Sequence, residues 1–370
     1  MASPDRHLLV VGASGVIGAG AVEHFARAGW AVTAMSRRRP IVAGDCAFDH
    51  RSVDLGDRQA CAAAVASMPP VTHLIYAAVS EAPGLVTGWV DGDRIAENGR
   101  MFANILDPLA ATGALEHVSL LQGTKAYGAH RHPVEVPCRE DRPRDDHPNF
   151  YWLHEDHARA KAAEAGFSFT IFRPQVLLGA APGAAMNPIA AIGVYAALCH
   201  ELERPFAWLG GAPSLMELVD TGLLAEAFEW AATSEAARNR IFNVTNGDAM
   251  VMAHAWPHLA ASLGLETAGD PPASLAAFFA DPESDAAWAR LVGRHGLIVE
   301  TLPALLGESH HYVDLLLGPR VAGNPVPPLL STIRIRQAGF AACRDSLDSL
   351  RHWIGRMIEL KLLPPMGDFA

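Results

Sequence analysis

The feature that most restricts what this chain can fold into stands near its start. The apolar run Leu8-Leu-Val-Val11 breaks into Gly12-Ala-Ser14-Gly15-Val16-Ile17-Gly18 and then into a helical pattern. A strand, a G-x-x-G-x-x-G turn and a helix opening, in that order, form the first βα unit of a doubly wound parallel sheet. One glycine makes the tight turn, one lets an anion approach the backbone, and one lets helix and strand pack closely. The helix N-terminus adds N–H donors and the positive end of its dipole, so a pyrophosphate is the expected ligand. Gly12, Ser14, Gly15, Val16, Ile17 and Gly18 are therefore the first cofactor-binding candidates. The competing reading is a glycine-rich turn with no ligand, against which the flanking strand and helix count.

The first half of the chain continues the alternation. Strands are expected at His7–Val11, Ala31–Ser36, His73–Ala77, His117–Leu121 and Ser168–Phe172, with helices at Ala19–Ala28, Asp57–Ala66 and Ile95–Leu106. After Pro174 come an Ala-, Gly- and Pro-rich passage, a helical run over Ile189–Cys199, a strand and turn over Trp208–Val219, and a strand at Phe242–Val244. Beyond residue 250 the pattern is mainly helical, ending in a helix over Asp345–Leu360. The expected fold is α/β: a Rossmann-type doubly wound parallel sheet with a smaller, mainly helical substrate-binding domain. Residues 1–176 with 206–246 are assigned to the nucleotide-binding domain, and 177–205 with 247–370 to the substrate-binding region.

Composition excludes several partners. A formal charge of −11 gives no general attraction for nucleic acid or anionic membrane. No apolar run reaches membrane-spanning length, because Asn187, Pro188 and Gly193 interrupt the longest candidate. The five cysteines are scattered and form no Cys-x-x-Cys pair. With a strand beginning almost at once, the chain is expected to be cytoplasmic with reduced thiols. His310-His311 has no further ligand at metal spacing, so no metal is expected.

The end of the second strand bears on cofactor choice. It reads Ser36-Arg37-Arg38-Arg39, where an NAD enzyme would carry an acid for the ribose 2′-hydroxyl. Arginine instead suits a 2′-phosphate, so NADPH is the expected cofactor, with Ser36 and Arg37 leading and Arg38 next. An arginine run in a solvated loop is the bland alternative. Asp54, followed by Leu55, either accepts from the adenine amino group or caps the next helix. Ala77 and Ala78 are small enough to admit the dinucleotide, or are simply packing alanines.

The usual short-chain dehydrogenase motif, Y-x-x-x-K, is absent: none of the five tyrosines is followed at that spacing by Lys. Lysine occurs only at 125, 161 and 361, and Lys125 lies just past a strand, where parallel sheets place their chemistry. Several segments carry a resemblance: His117-Val-Ser-Leu, Gly123-Thr-Lys125-Ala-Tyr-Gly, Glu140-Asp-Arg-Pro143 and Asn149-Phe-Tyr151-Trp. Further on stand Phe172-Arg-Pro174, Met186-Asn187-Pro, Val194-Tyr-Ala-Ala and Phe242-Asn-Val-Thr-Asn-Gly-Asp248. With these the chain resembles the progesterone 5β-reductase and iridoid synthase-like enzymes, an atypical branch of the extended short-chain dehydrogenase/reductases. The resemblance implies that Lys125 and Tyr151 are the catalytic pair. It further implies NADPH-dependent 1,4-reduction of an α,β-unsaturated carbonyl compound, with the enolate held by that pair. Trp152 stands where many relatives have a second Tyr, and His154-Glu155 replaces a more acidic pair, which bears on substrate preference.

Pro174 is expected to shape the nicotinamide pocket and Val176 to offer backbone groups to the carboxamide; the plain alternative is a strand-ending proline. Trp152, Met186 and Asn187 are the substrate-wall candidates, and residues of that kind at helical spacing are as readily core. Two other functions remain open: a carbonyl reductase, alcohol dehydrogenase or nucleotide-sugar epimerase or dehydratase on the same fold, and a catalytically silent NADP-binding regulator. A homodimer is compatible with all of them.

Overall fold

The computed structural model describes residues 6–81, 89–319 and 326–369. In chain order the strands are β1 (His7–Val11), β2 (Ala31–Met35), β3 (Asp49–Arg51), β4 (His73–Tyr76), β5 (His117–Leu121) and β6 (Ser168–Pro174). They continue with β7 (Val176–Leu178), β8 (Leu215–Met216), β9 (Leu218–Asp220), β10 (Arg240–Val244) and β11 (Met250–Val251). The longer helices are α1 (Val16–Arg27), α2 (Arg58–Ala66), α3 (Gly92–Ala111), α4 (Phe150–Ala165), α5 (Pro188–Glu201) and α6 (Thr221–Thr233). After them come α7 (Met252–Ser262), α8 (Leu275–Phe279), α9 (Pro282–His295), α10 (Leu302–Leu306), α11 (Ser309–Leu317), α12 (Ile333–Gln337) and α13 (Ser346–Glu359).

Seven strands form one sheet in the order β10-β6-β5-β4-β1-β2-β3, and every neighbouring pair is parallel. This is the Rossmann-type doubly wound sheet expected from the glycine turn. The reversal of strand order beside β1 puts a crevice at the carboxyl edge, where such sheets bind ligands. Every residue of β1 is buried, as a central parallel strand covered on both faces requires. Register brings the ends of the central strands level: Val11 lies opposite both Met35 and Tyr76, and Tyr76 opposite Leu120. The turns after β1, β2, β4 and β5 therefore leave the same edge.

Side-chain caps set the helix starts. The Asp57 carboxylate accepts from Gln59 N (2.8 Å) and Ala60 N (3.0 Å) to open α2, and Asp91 opens α3 in the same way. Helix α3 runs on through Pro108 to Ala111, past the expected end at Leu106, with Leu109 fully buried. Helix α4, absent from the expected elements, begins at the Asn149 cap and ends at Gly166 in the left-handed conformation.

The chain forms two compact units. The first comprises residues up to Gln175, Thr221–Thr245 and Pro328–Cys343; the second comprises Val176–Asp220, Asn246–Pro327 and the segment from Arg344 onward. Apart from single residues at the cuts, Val176 and Asn246, this differs from the expected partition in two segments. Residues 206–220 fall in the second unit because β9 pairs with β7, Leu218 opposite Val176. Residues 328–343 return to the first, where Cys138 N donates to Leu329 O (2.8 Å) and Ser331 N to Cys138 O (2.9 Å). Both choices are long-range backbone pairings that local patterning does not encode. The expected strand over Trp208–Val219 reduces to the short β8 and β9. Among the described residues no helix is long and apolar enough to cross a membrane.

Candidate active site

The three glycines of the turn are not equivalent. Gly12 has φ +83°, and a Cβ there would lie 2.5 Å from Ala78 N and 2.6 Å from Ala77 C. A Cβ on Gly18 would run into the Gly12 carbonyl oxygen and lie 2.7 Å from Ala13 Cα. Both are demanded by the packing of the chain on itself. Gly15 has φ −82°, and a Cβ there would meet only Gly12 O, at 3.3 Å. Its bare backbone forms the N-cap of α1, whose opening has no side-chain cap and no acidic residue in its first turn. That arrangement suits an anion supplied from outside. Ser14 and Ile17 are half-buried beside it and Val16 is buried.

At the end of β2, Ser36 is buried, and its hydroxyl donates to Arg38 O (2.6 Å). That proton is committed to the backbone, while Arg37 and Arg38 are both exposed. The Arg39 guanidinium stacks 4.3 Å from the centre of the Phe48 ring. Asp54 is exposed, and its Oδ1 accepts from Gly56 N (2.9 Å); the α2 cap is Asp57, so Asp54 is not a helix cap. Leu55 packs on the core of the first unit. Ala77, whose N–H donates to Val11 O (2.8 Å), and Ala78 form the backbone wall facing Gly12.

Lys125 sits in a short 3-10 turn, Thr124–Tyr127, directly after β5. Its ammonium is 4.1 Å from the centre of the Trp89 ring and 6.0 Å from that of Tyr151. Burial pushes the ammonium pKa down to about 8, against the opposing pull of the Glu81 carboxylate. Tyr151 lies in the first turn of α4 and is buried. Its hydroxyl would lie 3.3 Å from a Cβ on Gly123, and Pro174 O 3.5 Å from the same point. Gly123 thus leaves the space in which phenol, strand end and lysine turn meet.

One helical turn beyond Tyr151, where Y-x-x-x-K would place Lys, stands the buried Glu155. It accepts from Gln122 Nε2 (2.9 Å) and from Arg159 (2.8 and 3.0 Å), with Arg144 at 3.2 Å. Burial works to raise the Glu155 pKa, but these partners hold it below the ordinary value. The ladder continues sideways. Arg173 Nε donates to Gln122 Oε1 (2.7 Å), the Arg173 guanidinium lies 4.8 Å from the Tyr127 ring centre, and Tyr127 OH donates to Asn243 Oδ1 (2.7 Å). Asn243 in turn donates its N–H to Glu140 Oε1 (2.9 Å) and its side-chain amide to Cys138 O (2.9 Å) and Ser331 O (3.1 Å). The Glu140, Arg173 and Asn243 motifs are therefore buried polar ties between the carboxyl ends of β5, β6 and β10. For Arg173 in β6 and Asn243 in β10, the signal in sequence was a polar residue inside an apolar strand.

Trp152 is half-buried, its indole N–H donating to His147 O (2.9 Å). Val176, Met186 and Asn187 belong to the second unit. Val176 is buried in the β7–β9 pair and Met186 is half-buried. Asn187 is wholly buried: its Oδ1 accepts from Ile189 N (3.2 Å) as the cap of α5, while its Nδ2 donates to Ala181 O (3.2 Å). The His310 and His311 rings lie 4.1 Å apart, and no group of three or more metal-ligating side chains occurs among the described residues.

A parallel sheet in this strand order, with an open glycine cradle at its switch point, defines a dinucleotide-fold protein. The model of the NAD dependent epimerase/dehydratase family matches residues 8–245, and the chain belongs to that family. Within it, the chain is similar to the progesterone 5β-reductase and iridoid synthase-like enzymes. It is 29% identical to the (S)-8-oxocitronellyl enol synthase of Antirrhinum majus, over 96% of this chain and 92% of that one. It is 27% identical, over the same shares, to the 3-oxo-Delta(4,5)-steroid 5-beta-reductase of Arabidopsis thaliana. Among solved structures, the Bordetella bronchiseptica enzyme WbmH in complex with NAD+ superposes with TM-score 0.65 at 12% identity, over 95% of this chain and 98% of that one. The Thermus thermophilus UDP-glucose 4-epimerase complex with NAD gives 0.61 at 17% identity, over 94% and 97%. At such identities these two likenesses speak for the fold.

Proposed function

We propose that this protein is an NADPH-dependent reductase of the C=C bond of α,β-unsaturated carbonyl compounds. The observation that carries the reading is the meeting of Lys125 and Tyr151 beside Gly123, while the Y-x-x-x-K lysine position holds the neutralised Glu155. The names of the relatives, an enol synthase and a 4,5-unsaturated 3-oxosteroid reductase, support the same substrate class.

In this reading the Gly15 cradle with Val16 and Ile17 holds the pyrophosphate, Arg37 and Arg38 the 2′-phosphate, and Asp54 the adenine amino group. A dinucleotide bound there would supply the hydride for the β-carbon of the substrate. Charge then develops on the carbonyl oxygen. The Tyr151 hydroxyl donates to that oxygen and the Lys125 ammonium lies close by, so that both act where charge grows rather than where it already exists. With its pKa near 8, Lys125 is mostly charged at neutral pH. Protonation of the α-carbon, from Tyr151 or solvent, completes the reaction. Pro174 borders the same space, and Trp152 is the substrate-wall candidate of the same unit.

Epimerase, dehydratase or alcohol dehydrogenase chemistry on this fold is the second reading, and the carboxylate at position 155 counts against it. The test is NADPH consumption with a panel of enones, cyclic ketones and steroids, beside Lys125→Met and Tyr151→Phe. Loss of enone-dependent oxidation in both variants is expected; full activity in both refutes the assignment. Tight NADPH binding without turnover on any panel member would favour a silent regulator.

A further inference from the structure

A chain of buried polar groups leads to the first turn of α4 from the loop before it. Tyr151 N–H donates to Asn149 Oδ1 (3.0 Å), and this bond fixes which way the Asn149 amide points. Asn149 Nδ2 then faces His147 Nε2 at 3.1 Å. An NH2 group can only donate, so Nε2 must accept and the ring proton must sit on Nδ1. His147 Nδ1–H accordingly donates to Asp145 Oδ1 (2.7 Å), and Asp145 Oδ2 meets His132 Nε2 at 2.5 Å. Burial opposes ionisation of Asp145, but the bonds from His132 and His147 hold its pKa below the ordinary value. The His147 side chain is 2% exposed, which leaves water little access as a substitute partner.

The same pair packs against the lysine turn. Gly128, with φ +77°, closes the Thr124–Tyr127 turn, and a Cβ there would lie 2.5 Å from both Asp145 Oδ2 and His132 Nε2. The polar chain thus touches the end of the turn that carries Lys125 as well as the helix start that carries Tyr151.

We propose that His147 is a positioning residue for Tyr151: in its neutral Nδ1–H form it fixes the Asn149 amide, and the Asn149 cap holds the first turn of α4. This rests on the reading of Tyr151 as the hydroxyl donor. A proton on Nε2 would face the Asn149 NH2 group. The amide would have to rotate to present Oδ1, withdrawing that oxygen from Tyr151 N and leaving a buried helix N–H unpaired. The ionisable groups around the ring are Asp145 and His130, the latter with its ring centre 4.9 Å away. Beyond them stand His132 on Asp145, Lys125 and Arg131 acting on His130, and Arg144 over the Trp152 ring.

The experiment compares kcat and KM for the full-length wild type, His147→Leu and His147→Gln, with NADPH and the best enone of the panel. Leu removes the acceptor, whereas Gln offers an oxygen near the Nε2 position. His147→Leu is expected to lose on the order of tenfold to a hundredfold in kcat, with KM for NADPH nearly unchanged. His147→Gln is expected to recover most of kcat. Wild-type kcat in the Leu variant, or a Gln variant no more active than Leu, overturns the proposal. A readout independent of turnover is nitrogen NMR: an Nδ1–H tautomer for His147 in the wild type, and a Tyr151 amide signal that shifts in His147→Leu and returns in His147→Gln. If Tyr151→Phe stays active, the functional reading falls while this NMR coupling still judges the relay; a Tyr151 amide that ignores His147 ends it.

Discussion

Replacing Gly12 and Gly15 separately by Ala should divide folding from ligand binding within a single turn. At Gly12 the new methyl meets two obstacles: a backbone at φ +83° and contacts of 2.5–2.7 Å with the Ala77–Ala78 peptide. The left-handed conformation costs a non-glycine residue about 1–2 kcal/mol, and forcing a methyl into rigid backbone about 1–3 more. Gly12→Ala should therefore destabilise the protein by about 2–5 kcal/mol with no ligand present. At Gly15, φ is −82° and the nearest atom, Gly12 O, is 3.3 Å away, so strain is small. The remaining cost is that of a poorer N-cap, about 1 kcal/mol or less. The same methyl occupies the open face over α1, and losing one charge-assisted hydrogen bond there, roughly 1.5–3 kcal/mol, weakens dinucleotide binding by about tenfold or more. Urea unfolding without cofactor and NADPH titration by fluorescence read the two effects separately. Equal losses of stability in the two variants, or wild-type NADPH affinity in a folded Gly15→Ala protein, would refute the reasoning.

Other consequences are as direct. Burial pushes His117 down to about 3 and His154 down to about 4, so below about pH 6.5 the unfolded chain binds protons that the folded one does not. Stability should then fall by about 1.4 kcal/mol per pH unit for each histidine as pH drops from about 6.5 toward 4; His117→Asn should remove one such increment from urea-derived slopes, and an unchanged slope would contradict it. Enone reduction should decline as pH rises through about 8, where Lys125 loses its charge, and Lys125→Arg should carry whatever activity it retains to higher pH. An alkaline limb identical in the Arg variant would assign the limb to another group. If Arg37 holds a 2′-phosphate, Arg37→Asp should turn cofactor choice from NADPH toward NADH, and an unaltered ratio of the two kcat/KM values would show that it does not.

Much of the fold was legible because its signals are local. The Leu8–Gly18 segment specifies strand, turn and helix within eleven residues, and β1 and β5 have the expected bounds because short apolar runs edged by polar residues mark buried parallel strands. Helix α4 was not legible. Its Trp, His and acidic residues follow no clear amphipathic stripe, since buried Glu155 and His154 lie on its inner face beside Tyr151. The catalytic candidates themselves came from motif resemblance, not from periodicity.

Sequence alone thus determined that the chain winds a parallel sheet behind a glycine turn, because steric rules for Gly and the spacing of apolar residues act over a few neighbours. Tertiary structure decided which glycine is spare: Gly12 is pinned by Ala77 and Ala78, some sixty-five residues on, and Gly18 by the turn itself, while Gly15 stays open. It also decided that the position one turn beyond Tyr151 is a carboxylate tied to Gln122 and Arg159, and that residues 328–343 close over Cys138. Such partners are chosen by the close packing and hydrogen-bond satisfaction of segments far apart in the chain, which no local pattern records.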